Sequence, residues 1–151
     1  MRSVARDTAR AMSQENVEKL RGFLEGWNPK ATLEAWNRGD ADLSLIDPEI
    51  AYEDTILPDH VGETYHGYEG LARATERWLE PFESLTIQLE RLIGSGDRFV
   101  SIHQVWMRAL HTGIELEATL AYVWTFRAGR VIRLKSYWEP DEALEAAGLS
   151  E

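Results

Sequence analysis

From Ser13 onward the apolar residues Val17, Leu20, Phe23, Leu24 and Trp27 recur every three or four positions, the spacing of one helix face. Ser13 supplies an N-cap and Glu15 an acidic first turn, so a helix is predicted to start there. Asn28-Pro29 reads as a cap followed by proline at the first position of a second helix. Leu33 and Trp36 continue that helix until Arg38-Gly39-Asp40 closes it. A third, short helix is predicted over Ala41 to Ile46, stopped by Asp47-Pro48. The pieces Leu24-Glu25-Gly26-Trp27-Asn28 and Leu33-Glu34-Ala35-Trp36-Asn37 look alike, nine residues apart, but two copies do not establish a solenoid.

Glu49 to Glu53 alternates and predicts a strand. Asp54 to Tyr65 holds Pro58, Asp59 and Gly62 and predicts a loop, with a short strand possible at its end. Gly67 to Phe82 returns to the helical period, with Leu71, Ala74, Trp78 and Phe82 on one stripe. After it the period becomes two: Leu85, Ile87 and Leu89 alternate with polar residues up to a turn at Gly94-Ser95-Gly96-Asp97. Phe99 to Ala109, Ile114 to Arg127 and Val131 to Trp138 follow as strands, separated by turns at Thr112-Gly113 and Ala128-Gly129. A helix over Asp141 to Ala147 closes the chain. The expected class is α+β, with helices gathered on one face of a curved antiparallel sheet. Strands carrying Trp106, Tyr122, Trp124 and Trp138 make a sheet that bends around something, and an incompletely filled cone holds a ligand.

Composition narrows the class of function. At 151 residues the chain is long enough for one domain with a sizeable core. Its 16 basic against 26 acidic residues give a net charge of −10, which argues against a nucleic-acid or membrane partner. With no cysteine, disulfides, thiolate nucleophiles and cysteine-based metal sites are ruled out. Residues 1–11 carry Arg2, Arg6 and Arg10 without the apolar segment of a secretory signal. They are expected to form a flexible tail, or to follow an upstream start codon, with residues 12–151 as the folded domain in the cytoplasm.

Several short motifs coincide with a known family. Met-Ser-Gln-Glu-Asn-Val-Glu at 12–18, Trp36-Asn37-Arg38-Gly39-Asp40, and Val123-Trp124-Thr125-Phe126 before Gly129-Arg130-Val131 resemble SnoaL-like proteins. So do Asp141-Glu142-Ala143-Leu144 and Ala147-Gly148-Leu149. These proteins belong to the nuclear transport factor 2-like superfamily, which includes ketosteroid isomerase. The resemblance implies a cone-shaped sheet around an apolar cavity and a homodimer paired sheet to sheet. Ala51-Tyr52-Glu53-Asp54 resembles the stretch bearing the catalytic carboxylate of ketosteroid isomerases, which maps the proton-shuttling base onto Asp54. A tuned carboxylate in a cavity can take a proton alpha to a carbonyl.

The oxyanion side departs from that family's pattern. Counting from the same motifs, the first-helix tyrosine falls on Thr32 and the strand aspartic acid on Tyr122. A tyrosine hydroxyl can donate to a developing enolate, which makes Tyr122 the candidate donor. The changed donors argue against steroid isomerisation itself; polyketide cyclases of the same family close an aldol ring with a pocket acid. Leu134, Ser136 and Trp138 are placed on the pocket face of the last strand, with Arg133 and Lys135 outward. Leu120 shares a face with Tyr122, and Trp36 joins the ligand contacts. For the strand 99–109 two phases stay open: Phe99, His103 and Val105 inward, or Val100, Ile102 and Trp106 inward.

Each candidate has a plainer reading. Asp54 can simply end a strand and cap a turn. Tyr122 and Trp138 can be sheet aromatics, and His103, set down as a second acid/base, can be a passive neighbour. Asp54, Asp59, His60, Glu63 and His66 are a loose set of metal-ligand types, but none are paired at helical HxxxH spacing, and neither metal nor cofactor is expected. Gly94-Ser95-Gly96 is followed by a strand and is therefore a hairpin turn instead of a phosphate loop. The leading expectation is an isomerase, cyclase or dehydratase acting on a small apolar, cyclic or aromatic ligand. The rivals are a non-catalytic binding or association domain, and an epoxide hydrolase, for which Asp54 supplies only one of the two aspartates required.

Overall fold

The computed structural model describes residues 4–56 and 63–149. Two helices, α1 (Val4–Leu24) and α2 (Pro29–Arg38), precede strand β1 (Ile46–Asp54), a short β2 (Glu63–His66) and helix α3 (Gly67–Leu79). A meander follows, β3 (Phe82–Ser95), β4 (Arg98–Ala109), β5 (Glu115–Arg127) and β6 (Arg130–Tyr137), before helix α4 (Pro140–Ala146). The six strands form one curved, unclosed sheet in the order β2-β1-β6-β5-β4-β3. All neighbours are antiparallel except β1 and β6, which run parallel. No helix among the described residues is long and apolar enough to cross a membrane.

The period-two pattern sorts the meander into two faces. Phe99, Val105 and Met107 of β4 join Leu120, Tyr122, Trp124 and Phe126 of β5 in the main core. Leu20 and Leu24 of α1, with Ala74 and Trp78 of α3, cover them. This settles the phase of β4: Phe99, His103 and Val105 face inward. Val100 and Ile102 point the other way, where with Ala121 they meet Ala143, Leu144 and Ala147. Helix α4 is thus the exception to one-sided packing, since it buries its small apolar face on the outside of the sheet. The β3–β4 turn is tied to α1, because Gly96 N–H donates to Ser13 Oγ at 2.6 Å and Asn16 Nδ2 donates to the Gly96 carbonyl at 3.4 Å.

Four local expectations need correction. Helix α1 begins at Val4, upstream of Ser13, because 4–11 contain three alanines and neither glycine nor proline. No helix forms over 41–46: Asp42 Oδ1 accepts from Ser44 N–H at 3.0 Å, a local bond that competes with helical pairing. Strand β1 instead starts at Ile46 and runs through Pro48, tolerated because the β1–β6 register shifts between Ile46 and Ala51. Phe82 opens β3 and does not complete the α3 stripe, since Pro81 has no N–H to extend the helix. The two similar pentapeptides also part company. Gly26, at φ 78°, turns the chain after α1, whereas the corresponding Ala35 lies inside α2.

Candidate functional site

The helices do not fill the sheet's concavity, and a cavity of about 560 Å³ remains. Its sheet side is formed by Tyr52 and Asp54 of β1, Tyr122 and Trp124 of β5, and Leu134 of β6. Opposite stand Trp27, Thr32 and Trp36 from the α1–α2 region, with Tyr68, Leu71 and Trp78 from α3. Local chain geometry delivers the first of these. Trp27 N–H donates to the Leu24 carbonyl as α1 ends, and Asn28 Oδ1 then caps α2 by accepting from Ala31 N–H at 3.1 Å. The indole is thereby turned into the cavity, edge-on to Tyr122 with centroids 5.9 Å apart.

Asp54 is only 2% exposed. Its Oδ1 accepts from Ile56 N–H at 2.7 Å, which fixes the carboxylate's orientation at the end of β1. The next residue is anchored as well: Thr55 N–H donates to Ser136 Oγ at 3.0 Å, and its hydroxyl donates to the Ser136 carbonyl. Two phenols lie within electrostatic reach of Asp54. Burial first, then the Asp54 charge, pushes the Tyr52 hydroxyl well above the usual tyrosine range. Tyr122 is raised by its burial, then by Tyr52 and Asp54. Both phenols therefore stay protonated at neutral pH and keep a proton to donate.

The structure brings Asp54, Tyr122, Trp36 and Leu134 together around the cavity. It does not bring the other candidates there. His103 is fully buried behind the wall, edge-on to Tyr122 and Trp27 at 5.5 and 5.9 Å. Its pKa is lowered to about 4 by burial, so it is neutral at neutral pH. Leu120, directly opposite His103 on the sheet, is core. Ser136 is buried beneath Thr55 and acts as the anchor described above. Trp138 is 44% exposed: β6 ends at Tyr137 and the chain bends toward α4, so the strand's alternation no longer aims it inward. Arg133 and Lys135 point outward as expected, with Lys135 paired to Glu53 at 3.3 Å. Thr32 lines the cavity, yet its hydroxyl donates to the Asn28 carbonyl at 3.0 Å.

Asp59 and His60 lie outside the described residues. Glu63 is held by Arg77 at 3.0 Å, and no group of three metal-ligand side chains converges among the described residues. The sequence reading missed Tyr52, Trp27 and Trp78. For Tyr52 the signal was present, because two residues along a strand returns to the same face and Asp54 was already placed inward.

The SnoaL-like domain family matches residues 30–134. The search of curated proteins found no match. Among solved structures, a protein provisionally assigned as a SnoaL-like polyketide cyclase from Jannaschia sp. CCS1 is 18% identical with a TM-score of 0.65. That alignment covers 100% of this chain and 99% of the other. A protein with a ketosteroid isomerase-like fold from Catenulispora acidiphila DSM 44928, in complex with trimethylamine, is 17% identical with a TM-score of 0.59. It aligns over 91% of this chain and 95% of its own. TerC, co-crystallised with polyporic acid, is 17% identical over 88% of this chain and 97% of its own, with a TM-score of 0.58. At these identities the likeness is one of fold. With the family match spanning more than half the sequence, the chain belongs to the SnoaL-like domain family.

Proposed function

We propose that this chain is a small-molecule pocket enzyme in which Asp54 removes a proton alpha to a carbonyl of an apolar cyclic ligand. The observation that carries the reading is the buried Asp54 carboxylate sharing one cavity with the Tyr52 and Tyr122 phenols. The carboxylate takes the proton and becomes neutral, while the electron pair moves onto the carbonyl oxygen as an enolate. Tyr122, with Tyr52 beside it, donates to that oxygen. Return of the proton to another carbon gives an isomer, attack of the enolate carbon on a second carbonyl gives an aldol ring, and loss of a leaving group gives a dehydrated product. Trp36, Trp27 and Leu134 grip the ring. His103 has no part in the chemistry, being walled off from the cavity. The enzyme acts in the cytoplasm as a homodimer paired through the outer sheet face, a pairing supported by Trp106, 39% exposed there.

A second reading is supported by the bond from Ile56 N–H to Asp54 Oδ1, which by itself gives the aspartate a turn-making role. In that case the cavity binds a ligand without converting it. Thermal-shift titration with naphthols, which mimic an enolate, separates the two on wild type and Asp54→Asn in parallel. Asparagine keeps an oxygen to accept from Ile56 but carries no charge. Tighter naphthol binding in the variant, on the order of tenfold, supports the base. Identical binding favours the binding domain.

A further inference from the structure

We propose that the ligand of this cavity carries a cationic group, a substituted ammonium seated against the Trp36–Tyr68 wall, with its reactive end at Asp54. This inference rests on the reading of the cavity as the ligand site and refines it: the apolar ring proposed above bears one cationic substituent. Three acidic residues line the cavity, the exposed Glu25 and Asp42 and the buried Asp54, and among the described residues no Lys, Arg or His does. Such a lining favours cations over anions.

The walls supply the second half of the argument. Eight of the lining residues are Phe, Tyr or Trp, and a ring face carries partial negative charge that attracts an ammonium within about 6 Å. Six of these aromatics form two groups. Trp27, Trp78, Tyr122 and Trp124 pack against one another beside Asp54. Trp36 and Tyr68 make a separate pair, centroids 6.4 Å apart. The Tyr68 hydroxyl donates to the Ile46 carbonyl at 3.0 Å, which ties this pair to the segment that leads into β1, and Asp42, an exposed residue of that segment, also lines the cavity. Glu25 is answered by Arg21 at 3.8 Å, whereas no ion pair to Asp42 occurs among the described residues. Asp42 stays ionised, since Ser44 hydrogen-bonds to it and lowers its pKa. An ammonium between the Trp36–Tyr68 wall and Asp42 leaves the rest of the molecule to extend toward the phenols.

The test compares two probes of nearly the same shape, (4-hydroxyphenyl)trimethylammonium and 4-tert-butylphenol, by calorimetric titration of the full chain at pH 6.5. The cation is expected to bind about tenfold more tightly than its neutral isostere. Asp42→Asn is expected to cut cation affinity about threefold and leave the isostere unchanged, and Trp36→Leu to reduce the ratio between the two. Equal affinities, preference for the neutral probe, or no binding of the cation would overturn the proposal. The naphthol result with Asp54→Asn is read separately. A cation preference without any Asp54 effect leaves a cation-binding cavity and removes the base; the reverse outcome keeps the base and removes the cation.

Discussion

The indole N–H of Trp124 donates to Ser101 Oγ at 2.7 Å, a bond between neighbouring strands with both residues buried. The same oxygen lies 2.8 Å from His103 Nε2. Indole can only donate, so the serine oxygen accepts from Trp124, and its own proton is best used toward His103. A small polar network therefore stands behind the aromatic wall of the cavity, holding Trp124 in a fixed orientation.

Ser101→Ala should lower unfolding stability by about 1–3 kcal/mol, because it leaves a buried indole N–H without a partner. Chemical denaturation of wild type and variant measures this directly. A change below about 0.5 kcal/mol would mean that Trp124 finds another acceptor.

His103 gives the network a pH dependence. Unfolded, the imidazole takes up a proton below its ordinary 6.5; folded, burial delays that to about 4. Above pH 6.5 it is neutral in both states and its contribution is fully present. Between 6.5 and 4 the unfolded chain binds more protons, so stability falls as pH falls, and below 4 this site removes nothing further. The loss over that window is about 3 kcal/mol at most. With Ser101 donating to Nε2, the neutral ring carries its hydrogen on Nδ1, which has no hydrogen-bond partner among the described residues, and an added proton arrives at Nε2, where it displaces the serine's donated hydrogen bond. Denaturation midpoints across this window should drop less in His103→Gln than in wild type, and parallel curves would assign the acid sensitivity to other groups.

The reach of the sequence differs between elements for physical reasons. The meander's strands were legible from their turns and period-two stretches, but the phase of Phe99 to Ala109 was not, because α4 covers the outer face of that strand and Phe99 to His103 are all buried. Asp54 was singled out by the resemblance of its motif, whereas the alternation stopped at Glu53, one residue short of the observed end of β1. The segment 41–46 was not legible, since a side-chain bond from Asp42 to Ser44 N–H outweighs a weak helical pattern, and composition does not reveal that competition. Trp138 and Ser136 were misassigned by extending alternation as though every inward residue must touch the ligand. The strand stops before Trp138, and Ser136 spends its hydroxyl and carbonyl on Thr55. Trp27 escaped because its aim depends on Gly26 and the Asn28 cap, a turn whose direction periodicity does not encode.

Two glycines with positive φ should respond differently to alanine. At Gly94, φ is 137°, and an added Cβ would collide with the Arg98 carbonyl and lie 2.9 Å from Phe99 Cα. At Gly26, φ is 78° and the space is open. Gly94→Ala should therefore destabilise the protein by more than about 2 kcal/mol, whereas Gly26→Ala should cost about 1 kcal/mol from backbone strain alone. Thermal unfolding of the two variants side by side decides this, and equal losses would mean that the β3–β4 turn relaxes to accept the methyl.

Tyr122→Phe tests the proposed donor while sparing the packing. The ring keeps its contacts with Trp27, His103 and Trp124, at centroid distances of 5.9, 5.5 and 6.0 Å, so stability should change by less than about 1 kcal/mol. The lost hydroxyl is the one proposed to donate to the oxygen of an enolate or a naphthol. Naphthol affinity should fall about three- to tenfold, the worth of one hydrogen bond in a desolvated site. Combining Tyr122→Phe with Asp54→Asn sharpens the reading. If both groups meet the same ligand oxygen, the two effects should fail to add, because the ligand's charge state links them. Strict additivity would mean that the Asp54 charge does not reach the ligand oxygen that Tyr122 meets.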